Sequence, residues 1–457
     1  MIKRIDFPND FKFGVSDADL QVISEELTLK NENSLPTMWT DFATKSNKVY
    51  QNQSPLNSID RYSNWKKDAD LIINLGVSNY RVSISMSRIL TEDGGVNLKA
   101  IDWYKNYLEY LKKNNISISA TLYHWELPLF LHQKGGWLNK ETIFFLEKHT
   151  EYVYKYLNDY IDDYIVFNEP WCASMKSYWL GGHAPGDVNL SNALKASHNQ
   201  LLSCAKMTNI LKSLNSKNIV SIAFNNEPTY AYSSKKEDIE ASNRYDGFFN
   251  SWFKDPIYIG KYPSDMVKIY EKYINFEILE SDLQEMKIGE KLDFMAFNYY
   301  CGQVVKFDKD ANLPLQCECV QLENGQKNDL GWPVTLPPVY ENGLYDILIE
   351  TYNKYKNFGL SEIRITENGL AKKSQINDGK IEDIERISYY KQHLSQVAKA
   401  IKKGVPVTHF YAWTLMDNYE WEEGYKLESS FGLIYVDRKT LERKPKNSYF
   451  WYKDLIS

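Results

Sequence analysis

Eight short apolar runs recur along the chain, at residues 11–16, 79–85, 117–123, 163–169, 219–225, 293–300, 362–368 and 407–415. Most are near-continuous, without polar alternation, as expected of strands covered on both faces. Amphipathic segments lie between them. Residues 97–113 place Ile101, Tyr104, Tyr107, Leu108 and Leu111 on one face at steps of three and four. Asn114-Asn115 then ends the helix, because Asn tolerates the left-handed cap conformation. Residues 140–157, 192–211, 344–355 and 382–403 repeat the habit. Strands joined by helical crossovers make a parallel sheet, and eight is the number that closes into a barrel. The expected fold is an α/β (β/α)8 TIM barrel forming a single domain over residues 1–457. The polar stretches 46–58 and 307–339, with their Asn, Gln, Pro and Gly, are expected to be long loops on the strand ends.

Barrels of this kind carry their chemistry at the C-terminal ends of the strands. Those ends here hold Arg81, His124-Trp125, Asn168-Glu169, Asn298 with Tyr300, Glu367 and Trp413. The segments Ile165-Val166-Phe167-Asn168-Glu169-Pro170 and Ile363-Arg364-Ile365-Thr366-Glu367-Asn368-Gly369 each end an apolar run in a glutamate beside an asparagine. A carboxylate at the end of a buried strand is costly without partners or a task. Two of them suggest a carboxylate pair, the equipment for breaking a glycosidic bond. The 12 Trp and 34 Tyr side chains serve mostly as core, but an excess of both also suits stacking against sugar rings.

Other classes are disfavoured. A net charge of -6 argues against a nucleic-acid or anionic-membrane partner. Cys172, Cys204, Cys301, Cys317 and Cys319 include no CxxC pair, and no His lies near Cys317-x-Cys319 to complete a zinc site. Free thiols in a reducing compartment, no metal and no cofactor are the expectation. The start Met-Ile-Lys-Arg lacks the apolar core of a signal peptide, and no run reaches the ~20 apolar residues of a membrane span. A cytoplasmic enzyme is expected, its oligomeric state left open.

A series of motifs resembles glycoside hydrolase family 1, the β-glucosidase and β-galactosidase family. They are Phe7-Pro8 to Phe13-Gly14, Tyr80-Arg81-Val82-Ser83-Ile84-Ser85, Leu122-Tyr123-His124-Trp125-Glu126-Leu127-Pro128 and Gly135-Gly136-Trp137. The series continues with Phe167-Asn168-Glu169-Pro170-Trp171, Asn298-Tyr299-Tyr300, Ile365-Thr366-Glu367-Asn368-Gly369 and Asp417-Asn418-Tyr419-Glu420-Trp421 with Gly424-Tyr425. In this order they cover nearly the whole chain.

The resemblance implies an exo-acting retaining β-glycosidase working by double displacement, with Glu169 as acid/base and Glu367 as nucleophile. Glu169 then has to hold a proton at neutral pH, while Glu367 stays ionised with Arg81 and the Tyr300 hydroxyl against its charge. The resemblance further implies that Gln21, His124, Asn168, Glu420 and Trp421 hydrogen-bond the terminal sugar, with Trp413 as the platform under its ring. Trp171 and Trp332, with His183 nearby, are the candidates on the leaving-group side. Taken alone, each glutamate is as readily a capped or salt-bridged strand end. On the same terms His124 is a buried histidine bonded to backbone, and Trp413, Trp421 and Trp332 are packing residues.

The implied ligand is a small carbohydrate or glycoside, with β-glucosyl favoured and β-galactosyl or β-fucosyl tolerated. Glu420, Glu422 and Glu423 would repel a 6-phosphate, with Lys426 the only nearby base in that stretch. A transglycosylase sharing the covalent intermediate, a 6-phospho-β-glycosidase and a sugar-binding pseudoenzyme are the competing readings. The chain departs from the family over residues 15–25, where Gln21 persists but the usual following Glu-Gly does not. Asp17 and Asp19 are expected to add charge close to the pocket.

Overall fold

All eight expected strands form, and they close on one another. The computed structural model describes residues 2–323, 325–334, 342–377 and 379–457. Its strands are β1 (Lys12–Ser16), β2 (Asn79–Ser83), β3 (Ser117–Thr121), β4 (Asp163–Asn168), β5 (Val220–Asn225), β6 (Met295–Asn298), β7 (Ile363–Asn368) and β8 (Val407–Trp413). They pair in parallel as a closed barrel, with Ser16 of β1 opposite Arg81 of β2 on one side and Trp413 of β8 on the other. The architecture is the (β/α)8 barrel. Every residue of β2, β4 and β7 is buried, which is why these runs lack polar alternation.

The helices follow the sequence period. Leu98–Lys113 buries Ile101, Tyr104, Tyr107, Leu108 and Leu111, and the Asn97 side chain accepts from the Lys99 N–H at its start. The left-handed residue at its end is Asn115, at φ 61°. Glu141–Leu157, Leu190–Leu214, Gly343–Tyr355 and Ile384–Lys402 complete the expected set. Among the described residues no helix is long and apolar enough to cross a membrane.

The expected loop 307–339 is more ordered than its composition implies. Gln303–Phe307 pairs with Thr229–Ala231 and Cys317–Cys319, and Gln326–Lys327 pairs with Pro333–Val334. Residues 324 and 335–339 of that stretch lie outside the described residues. Polar composition marked a surface position there, not an absence of strand. All five cysteines carry free thiols.

Two irregularities position the site. The register of β4 against β5 slips by one residue between Ile165 and Asn168. The register of β7 slips likewise beyond Ile365, against both β6 and β8. An inserted residue bends a strand and re-aims the side chains beyond it. Asn168 and Glu169 follow the first bulge, and Glu367 follows the second. Glu169 lies just past β4 at φ 50°, a left-handed conformation uncommon outside glycine.

Candidate active site

The C-terminal ends of the strands surround a cavity of about 250 Å³. Glu169, Glu367, Tyr300, His124, Trp125 and Trp413 line it from the strand ends. Glu420, Trp421, Trp171, His183 and Trp332 line it from the loops. Arg81, Asn168, Asn298 and Gln21 are buried behind this wall and do not face the cavity.

Arg81 organises the floor. Its Nη1 donates to Glu367 Oε1 at 2.5 Å, its Nη2 to Asn168 Oδ1 at 2.6 Å and its Nε to Thr121 Oγ1 at 3.0 Å. The Tyr300 hydroxyl donates to the other oxygen of Glu367 at 2.6 Å. Burial pushes the Glu367 carboxyl up to about 7 against the pull of Arg81, and the charge of Glu169 adds to the push. Glu169 has a different donor set. Asn298 Nδ2 donates to its Oε1 at 2.8 Å, and the Cys172 thiol donates to its Oε2 at 3.1 Å. The two carboxyls therefore face one cavity with unequal support: a guanidinium and a phenol for Glu367, an amide and a thiol for Glu169.

The same network fixes His124. Because Arg81 can only donate, the Asn168 atom it meets is the carbonyl oxygen, and Asn168 Nδ2 must donate to His124 Nε2, 3.2 Å away. The ring proton then sits on Nδ1, which is buried without a protein partner among the described residues. Burial and the Arg81 charge hold the imidazole well below its usual range, so it stays neutral. Its ring lies nearly parallel to Trp413 and Trp421, at interplanar angles of 19° and 18°. Gln21 Nε2 donates to the Tyr419 carbonyl at 2.7 Å and to Glu420 Oε2 at 3.3 Å, leaving its own Oε1 buried and without a partner among the described residues. Burial and the neighbouring Glu422 raise Glu420 well above the ordinary carboxylate range.

The loops add groups that the sequence analysis did not bring to the site. Lys176, on the π-helix Cys172–Trp179, lines the cavity with its Nζ 2.5 Å from Glu422 Oε1. Lys426 is therefore not the only base near the Glu420 stretch. Glu422 Oε2 lies 2.8 Å from His183 Nε2. Burial would raise Glu422, but Lys176 and His183 together hold it well below the usual carboxylate range. Burial and the Lys176 charge keep His183 neutral, with its pKa near 4. Glu227 faces the cavity just beyond β5, receiving the Cys301 thiol at 3.1 Å and the Tyr245 hydroxyl at 3.2 Å, and burial pushes it up to about 7. Its position after Asn225-Asn226 at a strand end was the available signal. Trp171 packs against Phe249, ring centroids 4.5 Å apart, and Trp332 packs edgewise on Tyr300 at 5.9 Å.

The expectation for Asp17 and Asp19 is corrected. Asp17 is paired with Arg61 at 2.7 Å and accepts from Tyr80, and Asp19 is paired with Arg88 at 2.9 Å. Both are buried and neither lines the cavity, so their charge is compensated in the barrel wall.

The glycosyl hydrolase family 1 model matches residues 3–457. Beta-glucosidase A of Acetivibrio thermocellus is 36% identical over 458 residues, spanning 100% of this chain and 99% of its own. Beta-glucosidase A of Thermotoga maritima is 35% identical over 454 residues, spanning 98% of this chain and 97% of its own. The crystal structure of the GH1 beta-glucosidase from Exiguobacterium antarcticum B7 matches with a TM-score of 0.92 at 34% identity, covering 98% of each chain. A barrel of this topology, carrying paired carboxyls at the ends of β4 and β7 and matched by the family model from end to end, belongs to glycosyl hydrolase family 1 and is a glycoside hydrolase.

Proposed function

We propose that the chain is a retaining, exo-acting β-glycosidase that removes terminal non-reducing β-D-glucosyl residues from small glycosides. The observation that carries this reading is the unequal support of the two carboxyls. Glu367 meets a fixed positive charge and a phenol, donors that support an anionic nucleophile, while Glu169 meets only an amide and a thiol. In the first step Glu367 attacks the anomeric carbon while Glu169 gives its proton to the leaving oxygen. Esterification removes the Glu367 charge. Glu169, now a carboxylate, takes a proton from the attacking water and the sugar leaves with retained configuration.

A glucosyl unit is supported by the names of the relatives and by the groups facing the cavity. His124 Nδ1 and Glu420 offer a donor and an acceptor to sugar hydroxyls, and Trp413 offers an apolar face. A 6-phosphate is disfavoured, because Lys176 is already committed to Glu422. The test is release of 4-nitrophenol from its β-D-glucoside, β-D-galactoside and 6-phospho-β-D-glucoside, with the anomer formed first followed by proton NMR. Turnover of the phosphorylated substrate alone, or first formation of the α-anomer, overturns the reading. Glu367→Gln is expected to abolish release. Glu169→Gln is expected to slow poor leaving groups far more than activated phenols.

A further inference from the structure

The donors around Glu169 have directions that can be traced to a group that cannot reverse. The Arg81 guanidinium has no acceptor, so the atom it meets on Asn168 is Oδ1. Asn298 Nδ2 lies 3.1 Å from that same oxygen and must donate to it. The Thr366 hydroxyl donates to Asn298 Oδ1 at 2.7 Å, which agrees with this orientation of the amide. Asn298 Nδ2 therefore also donates to Glu169 Oε1, at 2.8 Å. An amide N–H cannot accept, so Oε1 is the accepting oxygen and Oε2 is the better placed to carry the proton. Oε2 is also the oxygen that meets Cys172 Sγ, at 3.1 Å.

A thiol is a weak donor and a weak acceptor, so it can serve both forms of a carboxyl. We propose that Cys172 is a positioning residue for the Glu169 proton: its thiol accepts from Oε2–H while Glu169 is the acid and turns to donate to Oε2 once Glu169 is the base. Asn225 Nδ2, 3.6 Å from the sulfur, supplies a second polar contact that holds it in place. Burial and the charge of Glu169 keep the thiol well above its ordinary range, so it remains S–H throughout. No covalent step at sulfur is involved. The proposal rests on Glu169 being the proton carrier.

The test compares Cys172→Ser, Cys172→Val and Cys172→Ala. Serine can both donate and accept, and valine and alanine can do neither. Both forms of Glu169 lose a partner, but the bond donated to the charged carboxylate is the stronger of the two, so its loss favours the protonated form. In the valine and alanine variants the alkaline limb of kcat/KM is expected to move up by ~0.5 to 1 pH unit, and kcat/KM for an alkyl glucoside to fall ~10-fold, with a smaller loss for a dinitrophenyl glucoside. Serine is expected to restore both readouts toward wild type. The proposal is overturned if a folded valine or alanine variant keeps the wild-type alkaline limb and leaving-group dependence. It is equally overturned if serine shifts them as far as valine, which would mark packing and not hydrogen bonding. Alanine keeps the comparison open should valine fail to fold. Failure of the underlying reading shows separately, as a Glu169→Gln variant that still cleaves alkyl glucosides at the wild-type rate.

Discussion

Arg81 Nη1 donates to Glu367 Oε1 at 2.5 Å, and the same guanidinium reaches Asn168 through its other terminal nitrogen at 2.6 Å. One rigid fork thus supports the negative charge of one carboxyl and, through Asn168 and Asn298, orients the donor to the other. Lysine would keep the charge but could not hold both partners. Arg81→Lys is expected to lower kcat/KM for 4-nitrophenyl β-D-glucoside by ~10²- to 10³-fold. The guanidinium pulls Glu367 down through both its charge and its hydrogen bond; lysine keeps the first and weakens the second, which raises that carboxyl and moves the acid limb of kcat/KM to higher pH. A variant with an unmoved acid limb and near-native kcat/KM would show that Arg81 only packs.

Acid should destabilise the fold through its histidines. His149 and His393 are fully buried, and burial lowers each to about 4. The sign follows from linkage. Each group has a folded pKa below its unfolded value of ~6.5, so the unfolded chain takes up protons first as pH falls. Stability is therefore lost progressively from ~6.5 down to about 4, where the folded form also protonates. At full extent a shift of this size is worth ~3 kcal/mol per group. Urea unfolding at pH 7, 6 and 5 should show falling midpoints, and His149→Leu should flatten that slope. A pH-independent midpoint over this range would contradict the neutral burial of these rings.

The buried pair of Asp17 and Arg61 makes the divergent first strand a stability element. Arg61 Nη1 contacts Asp17 at 2.7 Å and its Nε lies 3.4 Å from Asp68, with all three side chains buried. Asp17→Ala leaves a buried guanidinium short of one counter-charge. The expected loss is ~3 to 5 kcal/mol in chemical unfolding, the range for removing one partner of a buried pair. Kinetic constants of the variant that remains folded should stay near wild type, because Asp17 does not line the cavity. A large rise in KM with unchanged stability would return Asp17 to the sugar site.

The barrel and its two glutamates were legible because both are written in short-range patterns. Continuous apolar runs report strands buried on two faces, and a polar residue ending such a run reports the rim of the barrel. Glu227 is different: it stands two residues beyond β5, past Asn226, so no apolar run ends on it, whereas Glu169 directly follows β4. Lys176 was hidden for a different reason. It stands on a π-helix, whose wider turn breaks the 3.6-residue period, so its direction could not be read from its neighbours. Asp17 and Asp19 were misplaced because their partners, Arg61 and Arg88, lie 44 and 69 residues away in the chain. Neither pairing has any local signature.

Gly369 closes the segment that carries Glu367, and its lack of a side chain is a matter of space. A Cβ at this position would lie 2.0 Å from the carbonyl oxygen of Trp413. The obstacle is backbone at the end of β8, so relief requires moving the strand that presents the Trp413 ring to the cavity. Gly369→Ala is expected to cost ~1 to 3 kcal/mol in unfolding free energy, as overpacking of a close contact does. It should also raise KM for 4-nitrophenyl β-D-glucoside by displacing Trp413 from its place beside His124. Gly182→Ala is the control. Its added Cβ would meet only the Lys176 side chain, no closer than 3.6 Å, so its stability should stay within ~0.5 kcal/mol of wild type. Equal stability and equal KM in the Gly369 and Gly182 variants would show that the end of β8 yields freely, and that the Trp413 ring is not held in place by this approach of two backbones.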